Sequence, residues 1–239
     1  MKIRIKFRKW GCMKFIGHLD MLRFFQKAMR RADVDIRYSE GFSPHQIMSF
    51  AAPLGVGITS DGEYFDIEVN STKSPEEMIA DINAVLVDGV EVTGYVVLRD
   101  DAKTSMSIVA AADYILSYKD GYESPYSYVE WTQKVEELFT EQEQFTIVKK
   151  TKKSEREIDL KPLVYDFKVV EQEGKPAFYI YVSTGSVDNI KPELLLASMY
   201  DKLGLEYKEE AIAIHRLDVY AKDEKKNQFV SLLDFETEE

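Results

Sequence analysis

Cysteine is almost absent from the 239 residues of this chain: Cys12 stands alone. One thiol excludes an intrachain disulfide framework and any zinc or iron–sulfur site built on several thiolates. Histidine is scarce as well, at three residues. His18, Asp20, Glu40 and His45 carry nitrogen and oxygen donors, but their spacing matches no diagnostic metal pattern, so neither a metal nor a cofactor is expected. No apolar run approaches the roughly 20 residues that a bilayer-spanning helix needs. The basic start, Met1-Lys2-Ile3-Arg4-Ile5-Lys6-Phe7, alternates like a strand and leads into no signal-peptide core. A cytoplasmic protein without a membrane partner is the expectation. Gly41, Gly55, Gly57 and Gly62 form neither a GxxxxGK[ST] loop nor a GxGxxG turn between a strand and a helix. Nucleotide binding of the usual kinds is therefore not expected.

What is present is a core and an uneven charge. Hydrophobic residues make up 45% of the chain and aromatics 12%, ample for a packed interior. The formal charge is −11, yet residues 1–50 hold eleven Lys/Arg against four Asp/Glu. That leaves +7 in the first fifty residues and −18 in the remainder. A local basic face binds phosphate within about a Debye length, ~8 Å at physiological salt, even on an acidic protein. The plainer reading is a solvated helix face.

Ile3, Ile5 and Phe7 alternate with Arg4, Lys6 and Arg8, which predicts a half-buried strand with a basic outer face. Leu19, Leu22, Phe25, Met29 and Ala32 recur at helical spacing, with Arg23, Lys27, Arg30 and Arg31 on another side. Val34 to Tyr38 then reads as a strand entering the loop Ser39, Glu40, Gly41, Phe42, Ser43, Pro44. Ile47 to Ala51 and Tyr64 to Val69 are further strands. Ser74-Pro75-Glu76-Glu77 opens a helix toward Leu86, by its capping serine, its proline and its acidic first turn. Val90 to Leu98 closes the unit. The order βαββαβ is ferredoxin-like, and the second half repeats it loosely. It reads as a strand over Ile108 to Tyr118, a helix from Ser124-Pro125 to Thr140, and strands near Phe145 to Lys149 and Glu157 to Leu160. A hairpin across Glu173-Gly174, a helix from Lys191-Pro192 and a last strand from Ile212 to Tyr220 complete it. The expected class is α+β, with tandem ferredoxin-like (βαββαβ) units and antiparallel sheets over 1–100 and 106–222. The second unit carries an extra strand, and 223–239 is a charged C-terminal tail.

His18 and Asp20 stand at the start of the first helix, where an imidazole can act as a general base or touch phosphate. The alternative is that Asp20 charges the helix end and His18 fills a pocket. With His45, they are the catalytic candidates. The three are expected to line one concavity rimmed by Arg23, Arg30 or Arg37, provided Gly41-Phe42-Ser43-Pro44 folds back. Ser39 and Ser43 sit in no nucleophile elbow and read as turn residues. Arg23, Lys27, Arg30, Arg31 and Arg37, with Lys152 and Lys153 from a lysine-rich hairpin tip, are the candidate RNA-phosphate contacts. Tyr38, Phe42, Tyr64 and Phe65 either stack on bases or pack in the core.

The run from Phe15 to Glu68, with GHLDMLRFFQKAMRRA, YSEGFSPHQIMSFAAPLGVG and SDGEYFDIEV, resembles the uncharacterised radical-SAM-linked protein family. Ala112-Asp113-Tyr114, Lys152 to Pro162 and Ile190 to Leu195 match its later segments, so the resemblance covers most of the chain. Gly17 stands where the family commonly has serine, and Ser43 where it commonly has asparagine. Members occur alone or as the C-terminal part of radical-SAM proteins. The resemblance implies an association with radical-SAM enzymes and, through genomic context, with RNA or ribosome metabolism, but supplies no activity. This chain has no CxxxCxxC and cannot hold a radical-SAM cluster. The reading is an accessory protein without catalysis of its own, binding RNA or presenting a substrate or partner to a separate radical-SAM enzyme; no DNA partner is expected. One alternative is a metal-independent RNA-processing endoribonuclease, similar in fold order to the repeat-cleaving CRISPR endoribonucleases. His18 would be its base, and Arg23 or Arg30 would stabilise a phosphorane, although the glycine-rich loop those enzymes carry near the C-terminus is not evident. The other is a protein-complex scaffold docking through the acidic second half.

Overall fold

Alternation in the first strand decides where the core lies. In the computed structural model, which describes residues 1–150, 155–185 and 188–237, Ile3, Ile5 and Phe7 of β1 (Lys2–Lys9) are at most 2% exposed. The architecture is mixed α+β and dominated by antiparallel sheet. The chain divides into two compact units, Met1–Ala111 with Arg216–Glu239, and Ala112–His215.

In the first unit, α1 (His18–Arg31), β2 (Met48–Phe50), β3 (Thr59–Glu68), α2 (Pro75–Asn83) and β4 (Val90–Leu98) follow β1. The strand order is β4-β1-β3, and β2 adds to β3 through Met48↔Ile67 and Phe50↔Phe65. Phe25 and Met29 of α1 and Met78 and Ile82 of α2 pack with Ile3, Ile5 and Phe65 in one core. Phe25 contacts Phe7 and Phe65 at ring-centroid distances of 4.8 and 4.6 Å. Burial of each such side chain stabilises by roughly 1.5–3 kcal/mol. α2 starts as its sequence predicts, with Ser74 and Glu77 capping each other's backbone N–H. It stops at Asn83 rather than Leu86, where the Asn83 amide bonds both the N–H and the C=O of Val92. Val34 to Tyr38 is not a continuous strand, for it pairs only at Ile36↔Val69 and Tyr38↔Gln46. The short α3 (Ser105–Ile108) ends this part.

The second unit holds β5 (Val109–Tyr118) from Ala112 onward, α4 (Tyr128–Val135), β6 (Thr146–Lys150), β7 (Glu155–Asp159), β8 (Val164–Gln172), β9 (Lys175–Ser183) and α5 (Pro192–Lys202). Its order is β5-β9-β8, while β6 and β7 pair as a separate hairpin, where one extra strand was expected. α4 begins three residues later than Ser124-Pro125 predicts because Ser127 and Glu130 form the capping box. Trp131 is fully buried, edge-on to Phe178 at 5.0 Å, with its indole N–H on Ser124 Oγ at 2.9 Å.

The last strands are β10 (Ile212–Asp223) and β11 (Gln228–Ser231). Ile212–His215 belongs to the second unit, beside β5, and the rest of β10 to the first. Of residues 223–239, expected as a charged tail, the described residues 223–237 are built into the first unit. β11 pairs with β10, Leu232 is fully buried, and Leu98 bridges Thr237. Arg4, whose position on the outer face of β1 predicted exposure, adds a polar tie. Its guanidinium is fully buried and needs acceptors: Nε donates to Asp66 Oδ1 at 2.9 Å and Nη1 to the Leu232 carbonyl at 3.0 Å. The Lys222–Lys226 charge run masks the apolar Phe229, Val230, Leu232 and Leu233 that follow it. Gly62 is required here, since a Cβ would collide with Asp218 and the Leu217 carbonyl of β10. Among the described residues, no helix is long and apolar enough to cross a membrane.

Candidate functional site

Strand register places charge where alternation calls for apolar residues. Phe7 pairs with Glu63, and a register shift follows between Phe7 and Lys9. Phe7, Lys9 and Glu63 are all buried, at 2–3% exposure, and line one concavity with His18, Met21, Phe50 and Leu54. Its free space is about 10 Å³, room for roughly one water molecule. Glu63 is held by Arg216 of β10, itself 3% exposed: Nε donates to Oε1 at 2.7 Å and Nη2 to Oε2 at 2.5 Å. Arg216 Nη2 also donates to the Ala52 carbonyl at 2.8 Å. The Lys9 ammonium donates to the Ile16 carbonyl at 2.7 Å. Burial lowers the pKa of Lys9 from its ordinary value, Glu63 opposes that shift, and Arg216 adds to it. His18 opens α1 and sets its ring edge-on to Phe50 at 5.3 Å. Around it, Phe15, Leu19 and Val56 are each more than 60% exposed, and the Gly57 N–H bonds the Lys14 carbonyl at 2.8 Å.

Of the three catalytic candidates, the structure brings only His18 to this pocket. Asp20 is exposed and pairs with Arg23 at 3.2 Å. His45 belongs to the loop closed by the Tyr38↔Gln46 bridge, with Nδ1 2.9 Å from Ser39 Oγ and its backbone N–H on the same oxygen at 3.1 Å. The next residue, Gln46, donates to the Gln26 carbonyl at 3.2 Å. Gln26 lies eight residues into α1, roughly 12 Å from His18 at about 1.5 Å per residue. The loop therefore sits beside the middle of the helix. Gly41 at φ +110° lets it turn, Ser39 closes it, and Gly41, Phe42, Ser43 and Pro44 are exposed at its tip. Among the described residues, no group of three or more His, Cys, Asp or Glu is placed to hold a metal.

The cations of the first fifty residues divide by partner. Arg4, Lys6 and Arg8 pair with Asp66, Asp218 and Asp61, and Arg37 pairs with Glu68 at 3.2 Å. Asp35, a conceivable partner for α1, instead accepts from Asn70 and Ser71. Lys27, Arg30 and Arg31 are exposed on the last turns of α1, and no carboxylate among the described residues pairs with them. Phe42 is fully exposed and Tyr38 45% exposed in the loop before β2, whereas Tyr64 and Phe65, at 1% or less, are core. Lys152 and Lys153 lie outside the described residues.

Lys9, Glu63 and Arg216 escaped the sequence reading. The signal was present in β1 and β3: Lys9 extends the inward series Ile3, Ile5, Phe7, and Glu63 extends the inward series Val69, Ile67, Phe65. Two charges ending two buried series mark a polar site at one end of a sheet.

No curated protein matches this chain. Among solved structures it is similar to a chain of a Cbf5-Nop10-Gar1 complex, at 13% identity and a TM-score of 0.48, covering 93% of this chain and 50% of that one. This chain thus spans about half the length of that match. It is also similar to an unknown protein from Galdieria sulphuraria, at 9% identity and a TM-score of 0.23, covering 90% and 96% of the two chains. The family model of uncharacterised proteins conserved in bacteria, DUF2344, matches residues 2–192, and the chain belongs to that family.

Proposed function

We propose that this protein is an RNA-binding accessory module, built from two ferredoxin-like units, that serves a separate radical-SAM enzyme. The orders β4-β1-β3-β2 and β10-β5-β9-β8 support the ferredoxin-like reading of each unit. The observation that carries the RNA reading is the trio Lys27, Arg30 and Arg31, which spans little more than one helical turn, is exposed and has no carboxylate partner among the described residues. Such cations release counterions when they take phosphates. Exposed Phe42 and Tyr38, in the loop that Gln46 ties to α1 at Gln26, offer π-faces on which unstacked bases settle, worth ~1–3 kcal/mol per base. The radical-SAM partner rests on the resemblance of Phe15–Glu68, and the single Cys12 of this sequence cannot by itself hold the cluster.

Binding is favoured over cleavage by position. His18 lies against Phe50, Arg23 is engaged by Asp20, and Arg30 is twelve residues along α1 from His18, roughly 18 Å away. A base and a phosphorane-stabilising arginine need to share one phosphate. Fluorescence anisotropy with a labelled single-stranded oligoribonucleotide tests the reading. The folded wild-type protein binds at low salt, and the Lys27→Ala/Arg30→Ala/Arg31→Ala variant binds more weakly. No measurable affinity of the wild type at low salt contradicts the proposal, and RNA carrying 2′,3′-cyclic phosphate ends after incubation favours the nuclease.

A further inference from the structure

Phe15, Leu19 and Val56 gather around Gly17 instead of lying scattered over the surface. Phe15 and Leu19 are each two residues from it in sequence, and Val56 packs against its backbone, with Cγ2 3.8 Å from where a Cβ would stand. The bond from the Gly57 N–H to the Lys14 carbonyl, at 2.8 Å, holds the Val56 loop there. Three large apolar side chains, each more than 60% exposed, thus make one patch of the kind that marks an interaction site. Its rim is positive. Lys14 sets its ammonium over the Phe15 ring at 5.2 Å and has no carboxylate partner among the described residues. α1 begins here with its positive end, and its N-cap, Gly17, has no side chain to satisfy the first-turn N–H groups. The acidic residue of that turn, Asp20, is matched by Arg23 at 3.2 Å.

We propose that this patch docks a short acidic segment of a partner protein, its large apolar side chains on Phe15, Leu19 and Val56 and a carboxylate beside Lys14 and the start of α1. Size argues for a segment. Three side chains offer on the order of a few hundred Å², well short of the ~800 Å² that each partner gives to a stable interface of ordinary size. A second copy of this chain would need far more. Charge argues for an acidic segment, since a carboxylate meets two positive features where an ammonium would be repelled by both. The surface lies at the opposite end of α1 from Lys27, Arg30 and Arg31 and does not rest on RNA binding.

The test titrates the full-length protein with the acidic peptide acetyl-ELLEF-amide at constant ionic strength, followed by ¹H–¹⁵N correlation spectra, with acetyl-KLLKF-amide as the second probe. The acidic peptide should shift the amides of Phe15, Leu19 and Gly57 saturably, with a midpoint of order millimolar. The basic peptide should bind at least tenfold more weakly. Leu19→Ser/Val56→Ser changes two exposed side chains, which the fold tolerates, and should weaken the acidic peptide at least tenfold. Lys14→Glu should narrow the preference for the acidic peptide. The Lys27→Ala/Arg30→Ala/Arg31→Ala variant should keep the wild-type midpoint, so the patch and the RNA face fail or succeed separately. Shifts that rise linearly without saturation, equal midpoints for the two peptides, or an unchanged midpoint in Leu19→Ser/Val56→Ser each overturn the proposal. So does a dimer in sedimentation velocity that Leu19→Ser/Val56→Ser abolishes, because the occupant is then a second copy of this chain.

Discussion

The two ends of α1 handle charge in opposite ways. Beside its first residue, Lys9, Glu63 and Arg216 are withdrawn from water, hydrogen-bonded and 2–3% exposed. Along its last turns, Lys27, Arg30 and Arg31 stand in solvent with no carboxylate among the described residues. The same residue types, at the two ends of one helix, thus do different physical work. Buried charges trade desolvation against hydrogen bonds and fix geometry, whereas exposed ones contribute little to stability and remain available to a polyanion. The +7 of residues 1–50 counts buried Lys9 together with exposed Lys27, Arg30 and Arg31.

The comparison breaks most sharply at the buried end. Arg216→Met strands the Glu63 carboxylate and should cost about 3–5 kcal/mol in urea unfolding. Adding Glu63→Met should restore most of that loss; a single-variant cost below about 1 kcal/mol would show the pair to be solvated. Next in size is the pH dependence at Lys9, whose neighbours are Glu63, Arg216 and His18. Burial holds its pKa below 10.5 in the folded state, so the unfolded chain carries more protons across the window between that lowered value and 10.5. Stability therefore rises with pH there. The wild type should gain on Lys9→Met as pH climbs from neutral toward 10.5, and parallel stability curves would remove the buried ammonium from the account. Smallest is the exposed pair: Arg23→Ala breaks a contact whose side chains are 70% and 67% exposed and should change stability by no more than about 0.5 kcal/mol.

The local half of the fold was legible in the sequence. Ile3, Ile5 and Phe7 announce β1, Phe25 and Met29 announce the buried face of α1, and Ser74 with Glu77 announces the α2 cap. These signals act within a few residues, where periodicity and capping chemistry operate. What was hidden depends on register and chain return. Nothing near Lys9 states that Phe7 will face Glu63, or that Arg216 will come back from the far end of the chain to meet it. Nothing near Arg4 states that the Leu232 carbonyl will satisfy its guanidinium. His18 and His45 looked joinable because both border the same helix–loop unit. The Gln46–Gln26 bond holds the His45 loop two turns further along α1 instead.

The most direct test of the central claim is the salt dependence of RNA binding. For single strands, log K falls with log[salt] at about −0.7 per neutralised phosphate. Removing Lys27, Arg30 and Arg31 together should flatten the slope by about 2 relative to wild type, with urea stability unchanged within about 0.5 kcal/mol. Equal slopes for the two proteins, or a variant that loses stability instead of affinity, would contradict the assignment of the exposed end of α1 as the RNA-binding face.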